Sequence, residues 1–425
     1  MQHLTAAEYW ENQSSEALNP FDEKINQTVL SIIHQVKKHG DRAIQSFTEQ
    51  FDGVKINQLS VTRKEFTEAR KSVSTSFVTA LTEAAKNIAR FHEKQLEKSW
   101  FDTSEPGKII GQKITPLEKV GIYIPGGKAA YPSSVLMNVI PAKIAGVKHI
   151  YLTTPPQPDG RINPYVLVAA EITGVETIYK MGGAQSIAAL AYGTETVEKV
   201  QKITGPGNAF VANAKKWVYG DVAIDMIAGP SEICIVADET ARADFVAADL
   251  LSQAEHDEAA RAICITTSNQ QANNIHQELL RQSKKLARKE IINQSLNDQG
   301  KMIVVDSLRE AFDIVNDIAP EHLELMIEQP LEQLGYIHNA GAIFLGHYAP
   351  EALGDYVAGP NHTLPTNGTA AFASPLGVYD FMKKSSVIYY DKAALLKTAD
   401  PIIELANTEQ LTAHAQSVQI RKEEN

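Results

Sequence analysis

Four stretches of this 425-residue chain gather side chains that bind metals and move protons. Gln253-Ala254-Glu255-His256-Asp257 falls at the end of a predicted helix over roughly 240–256, where residues three apart share a face, so Gln253 and His256 stand together. Pro320-Glu321-His322-Leu323-Glu324 opens an apolar run and sets a carboxylate beside an imidazole, two differently tuned groups that can each carry a proton. Gly354-Asp355-Tyr356-Val357-Ala358-Gly359-Pro360-Asn361-His362 reads as a loop from its Gly and Pro content, with an Asp and a His on a rigid turn. Thr412-Ala413-His414-Ala415 lies near the C-terminus, with Glu409 five residues before His414. Each stretch alone is as well read as a solvated helix end or an ordinary loop. Together they supply the ligands of a zinc site that keeps positions open for substrate.

The elements that must position these residues alternate. Short β-branched runs ending in Gly or Pro occur at 119–125, 149–156, 176–183 and 200–207, with helix-length stretches between them. The same cycle returns with EICIVAD (232–238), RAICITTS (261–268), KMIVVDS (301–307), HLELMI (322–327) and GAIFLG (341–346). Strands alternating with helices mean βαβ units and mainly parallel sheets. The expected fold class is therefore α/β: two Rossmann-like units at 109–228 and 229–375, a helical N-terminal region over 1–108, and a short helical C-terminal arm over 376–425. No comparable strand signal appears before residue 109.

Composition narrows the chemistry. Forty basic against fifty-one acidic residues give a net charge of -11, which argues against a nucleic-acid or anionic-membrane partner. No signal peptide and no apolar run of membrane-spanning length is visible, so a cytoplasmic protein handling small molecules is expected. The two cysteines, Cys234 and Cys264, fall inside buried-strand runs, where a thiol is a small core residue and not a nucleophile. Gly205-Pro206-Gly207-Asn208 follows a strand and opens a helix, yet Phe210 stands where a dinucleotide fingerprint needs its third glycine. Gly126-Gly127-Lys128 likewise fails as a P-loop, because no Ser or Thr follows the lysine.

The longer motifs resemble the histidinol dehydrogenase family: YIPGGKAAYPSSVLMNVIPAKIAGV (123–147), MGGAQSIAALAYG (181–193), GPGNAFVANAK (205–215), IAGPSEICIVAD (227–238), LLSQAEHD (250–257), APEHLEL (319–325), GDYVAGPNHTLPT (354–366), SPLGVYDFMKKSSVI (374–388) and LTAHA (411–415). They run in order over residues 20–421. The resemblance implies a zinc enzyme that oxidises L-histidinol to L-histidine through the aldehyde, using two NAD+ and one water, at the last step of histidine biosynthesis. By that likeness the zinc ligands are Gln253, His256, Asp355 and His414, and the catalytic pair is Glu321 and His322. Substrate contacts fall to Ser231, Gln253, His256, His322, Asp355, His362, Glu409 and His414. NAD contacts fall to Tyr123, Gln185 and Asn208. The family is a homodimer, which implies that Glu409 and His414 on the C-terminal arm act in trans. The chain departs from the family at Ala371, near which an Arg is usual. A related zinc and NAD dehydrogenase acting on another polar alcohol, such as a sulfonated diol, is the alternative.

Overall fold

The computed structural model describes residues 1–13, 23–126 and 130–423, so Gly127 and Lys128 lie outside the described residues. The chain divides into two compact units. One joins Met1–Gln95 to Leu117–Phe381, and the other joins Leu96–Pro116 to Met382–Asn425.

Strand β1 (Gln2–Thr5) opens the first unit, while β2 (Trp100–Asp102) and β3 (Lys108–Pro116) belong to the second. The first unit then builds two all-parallel sheets. One contains β4 (Lys119–Tyr123), β5 (His149–Thr154), β6 (Thr177–Lys180), β7 (Lys202–Thr204) and β8 (Ala223–Ile224), in the order β6-β5-β4-β7-β8. The other contains β9 (Glu232–Ala237), β10 (Arg261–Thr266), β11 (Lys301–Val304), β12 (His322–Met326) and β13 (Ala342–Leu345), in the order β1-β11-β10-β9-β12-β13. Apart from β1, the two sheets share one winding pattern, with a switch point between β4 and β7 in one and between β9 and β12 in the other. The expected α/β class with mainly parallel sheets holds.

Burial explains the composition of these strands. Every residue of β9, Glu-Ile-Cys-Ile-Val-Ala, is buried, because helices cover both faces of the sheet and a central parallel strand has no solvent side. Successive residues point to opposite faces. Thus Cys264 packs with the helices Ala243–Ala254 and Asn269–Ser283, and Cys234 packs with Leu308–Ile318 on the other side. Both thiols are free and fully buried, and burial pushes Cys264 up to about 12 and Cys234 upward as well. The helix Glu23–His39 lays Val29, Ile32, Ile33 and Val36 on one face of the first sheet, and Thr75–His92 lays Leu81, Ala84 and Ile88 on the other.

The short edge strand β1 corrects the expectation of no strand before residue 109. Only Leu4 of its four residues is buried, so it carries no alternating signature and is recruited by the open edge of β11. The second unit corrects the expectation of helix and tail after residue 376. There β14 (Met382–Tyr390) pairs antiparallel with β3 along its whole length, and β2 pairs with β3's far edge. The helices Lys392–Thr408 and Thr412–Glu423 follow. Among the described residues of this unit the buried hydrophobics are all alanines, Ala394, Ala399, Ala406 and Ala415, whereas Trp100, Phe101, Ile388, Tyr389, Leu405 and Ile420 are exposed. No helix of the described residues is long and apolar enough to cross a membrane.

Candidate active site

The site residues of the second sheet gather at its amino edge. Ser231 immediately precedes β9, and its carbonyl accepts the Arg261 N–H at the start of β10. Glu321 and His322 stand at the start of β12 because the helix Leu308–Ile318 stops there. Ala319 takes a left-handed conformation (φ 47°), and Pro320 has no N–H with which to continue the helix. The helix Ala243–Ala254 runs back antiparallel to the strands. Its last turn carries Gln253, and His256 lies just past the end, its N–H donating to the Gln253 carbonyl at 3.2 Å. Asp355 lies not in a loop, as expected, but on the short helix Glu351–Tyr356, which Pro350 initiates; Glu351 and Asp355, four apart, share one face.

These elements converge. Ligand atoms of His256, Glu351 and Asp355 all lie within 4.8 Å of one another. Gln253 is fully buried against Glu351. We assign its amide with Nε2 donating to Oε1 at 2.7 Å and Oε2 at 3.1 Å, since the ionised carboxylate offers only acceptors. His322 is buried, and its Nδ1 lies 3.1 Å from the Glu232 carbonyl, 3.8 Å from Glu321 Oε2 and 3.9 Å from Glu351 Oε1. A carbonyl only accepts, so Nδ1 carries the proton and Nε2 presents a lone pair. That Nε2 is buried without a protein partner. Glu321 Oε2 accepts the Glu232 N–H at 2.9 Å, so the backbone of Glu232 holds both members of the pair. His362 Nδ1 donates to the Asp355 carbonyl at 3.0 Å, and its Nε2 lies 3.3 Å from Ser134 Oγ.

Burial dominates the electrostatics. It lifts Glu321 well above the usual carboxylate range, helped by the nearby charges of Glu232 and Asp355. Glu351 rises for the same reason, with Asp355 and Glu321 adding to it. The His322 imidazole is pushed down to about 4, and His362 is also lowered, again chiefly by burial. So many acids around two neutral imidazoles form a site short of positive charge. A divalent cation is the group such a donor set accommodates.

The three proposed nucleotide contacts occupy the opposite kind of edge. Tyr123 ends β4, Gln185 lies in the first turn of the helix after β6, and Asn208 follows β7. All are at the carboxyl edge of the first sheet, around its switch point, where open α/β sheets bind their ligands. Tyr123 is buried, its phenol pushed up to about 12, and its oxygen lies 3.4 Å from the Gly183 N–H. Gln185 Oε1 is buried without a partner. Asn208 caps the helix Ala209–Val218 by accepting from Phe210 and Val211, which leaves its Nδ2 outward. Gly205, at φ +107°, lets this turn pass against the Tyr123 carbonyl, where any Cβ would collide. The His362–Ser134 contact ties the two edges together, since Ser134 lies in the first turn of the helix Pro132–Ala145 that follows β4.

Two residues of the expected site lie in the second unit. Glu409, at the end of the helix Lys392–Thr408, and His414, in Thr412–Glu423, belong to the second unit, and both are exposed. Conversely, the sequence reading missed Glu351, Glu232 and the pair Asp249 and Glu324. Asp249 shares a hydrogen bond with Glu324 and is raised to about 6, chiefly by burial. The missed signal was helical spacing: Asp249 stands four residues before Gln253, and Glu351 four before Asp355.

The chain is similar to known proteins of one family. The family model described as "Histidinol dehydrogenase" matches residues 17–422. A histidinol dehydrogenase of Oceanobacillus iheyensis is 53% identical over 423 residues, covering 100% of this chain and 99% of that protein. One from Listeria monocytogenes is 56% identical over 401 residues, covering 94% of each. The crystal structure of histidinol dehydrogenase from Elizabethkingia anophelis superposes with a TM-score of 0.94 at 39% identity, covering 99% of this chain and 97% of that one. With two parallel sheets and this likeness over nearly its whole length, the chain belongs to the histidinol dehydrogenase family of oxidoreductases.

Proposed function

We propose that this enzyme oxidises L-histidinol to L-histidine through the aldehyde, with two NAD+ and one water, as the last step of histidine biosynthesis. The observation that carries the reading is the convergence of His256, Asp355 and the Glu351-bound Gln253 beside a buried His322 whose Nε2 has no partner. One imidazole, one amide oxygen and one carboxylate suit zinc, and His414 from a second copy of the chain would complete four ligands. The exposed apolar side chains of the C-terminal unit favour such a homodimer, in which Glu409 would also arrive in trans and hold the substrate's amine. When bound, the metal would orient the substrate, and the nicotinamide near Tyr123, Gln185 and Asn208 would take the hydrides.

This chain's residues then have defined tasks. Turning an alcohol into a carboxylate removes four electrons, hence two hydrides, and adds one water oxygen. In the first half-reaction His322 Nε2 accepts the hydroxyl proton as the first hydride leaves carbon. Its Nδ1–H stays on the Glu232 carbonyl, and Glu321 and Glu351, each within 4 Å, stabilise the imidazolium. In the second half-reaction Glu321 takes a proton from the water that adds to the aldehyde, and the hydrate loses the second hydride. Ser231, just before β9, and His362, held by the Asp355 carbonyl, would contact the substrate. Neither cysteine takes part, so no thioester forms.

The direct test is NADH stoichiometry. Two NADH per histidinol, abolished by a chelator and restored by zinc, are expected. One NADH per histidinol, or full activity in the chelator, refutes the reading.

A further inference from the structure

We propose that Glu351 is a positioning residue for the metal: it fixes which end of the Gln253 amide faces the cation. This rests on the reading that Gln253, His256 and Asp355 hold a metal. An amide is unsuited to being a ligand in one respect. Its two ends have nearly the same shape, yet only the oxygen has a lone pair to give, and the NH₂ end repels a cation. Gln253 is fully buried, so water cannot settle the choice. A neighbour must.

Glu351 is that neighbour. Both its oxygens lie within hydrogen-bond reach of one Gln253 nitrogen, at 2.7 and 3.1 Å, and beside a bound cation, where the carboxylate is ionised, they only accept. With the nitrogen held there, the oxygen is turned away from Glu351 and left for the cation. Glu351 is itself held from several sides. Its backbone N–H donates to Glu324 Oε1 at 2.8 Å, Ser252 Oγ reaches its Oε2 at 3.5 Å, and it is only 2% exposed. Because ligand orientation is commonly set by such outer partners, the arrangement has a recognised physical purpose.

Glu351 is also near enough to His256 and Asp355 to be a ligand itself. The hydrogen bonds argue otherwise. If Glu351 bound the metal directly, the oxygen it gave to the metal would be lost to the Gln253 NH₂, and the hold on the amide's orientation would weaken. A carboxylate serving the amide explains both residues at once.

The test measures zinc affinity in the full-length enzyme by competition with a chromophoric chelator, in a double-mutant cycle. Glu351→Ala should weaken zinc binding by about 10–100-fold. In a Gln253→Ala background, with no amide to orient, the same change should cost no more than about twofold. Glu351→Gln keeps one acceptor for the amide and should fall between parent and Glu351→Ala; it also serves if the alanine variant does not fold. Cobalt-substituted Glu351→Gln should keep the parent's visible absorption pattern, because the ligand set is unchanged. An equal loss in both backgrounds, a cobalt spectrum that loses a ligand, or unchanged affinity in Glu351→Ala overturns the proposal. Asp355→Ala separates this from the parent reading. If it too leaves zinc affinity unchanged, the metal site itself is wrong; if it abolishes binding while Glu351→Ala has no effect, only the role of Glu351 falls.

Discussion

Replacing Glu321 by Gln separates the two half-reactions. The carboxylate accepts one backbone N–H, that of Glu232, at 2.9 Å, and the Gln side-chain oxygen can keep that bond at the same volume. His322 is held by the Glu232 carbonyl and not by Glu321, so its orientation should survive. What disappears is a buried proton acceptor. A positioned general base contributes about 10²–10⁴ in rate, or about 3–5 kcal/mol of barrier. That loss should fall on aldehyde oxidation, where water must be activated. Histidinol oxidation to the aldehyde should slow by less than about tenfold, since His322 takes that proton. The assay supplies histidinol and histidinaldehyde separately and follows single-turnover NADH formation by stopped flow. Early NADH per histidinol should then drop from two toward one as the aldehyde accumulates. Stability should not fall, because a carboxyl lifted by burial is being replaced by a neutral group. Equal slowing of both half-reactions would refute the division of labour. A large drop in unfolding free energy would show instead that the carboxylate is structural.

Other expectations follow from the same geometry. Gly205→Ala forces a Cβ into the Tyr123 carbonyl at φ +107°, and should cost at least about 2 kcal/mol in urea unfolding, with NAD affinity falling alongside. Cys234→Ala and Cys264→Ala should each keep full turnover while losing about 1 kcal/mol from the small cavity left in the sheet core; loss of aldehyde oxidation in either would revive a thiol route. Asp249 bears on pH dependence. Its folded value is raised to about 6, so the stability it contributes is full below its unfolded value near 4 and fades as pH rises through about 6. Asp249→Asn removes that slope, and should gain roughly 1 kcal/mol on the parent between pH 5 and pH 8, allowing for partial solvent screening; a gain toward acid pH would contradict the sign.

Much of the architecture was legible because its signals are local. The apolar run of β9, the Gly and Pro stops after each strand, and the Asn208 cap are written in adjacent residues. The buried cysteines were equally readable, since they sit inside strands with no polar face. What could not be read depends on distant partners. Strand β1 exists only because β11 leaves an edge open, and β14 only because β3 lies beside it. The same holds in the site. Glu321 and His322 announce themselves as neighbours in the chain. Glu351 gains its meaning from Gln253, almost a hundred residues earlier, and from a fold that brings two short helical faces together. The placement of Asp355 on a helix was hidden by a glycine that packs, as Gly354 does, where a side chain would meet the Phe344 ring.

The edge strand β1 has a consequence for how the protein is made. Residues 2–5 are synthesised about 300 residues before their partners, residues 301–304. At translation speeds of about 5–20 residues per second, the first strand waits roughly 15–60 s for the chain that will hold it. Until then Leu4 and Tyr9, buried in the finished sheet, have nowhere to pack. The helices from Glu23 onward face a shorter wait, because they pack on the first sheet, which is complete by Ile224. Residues 2–5 are therefore made well before the strand that holds them, and stay unpaired through most of the synthesis of this sheet.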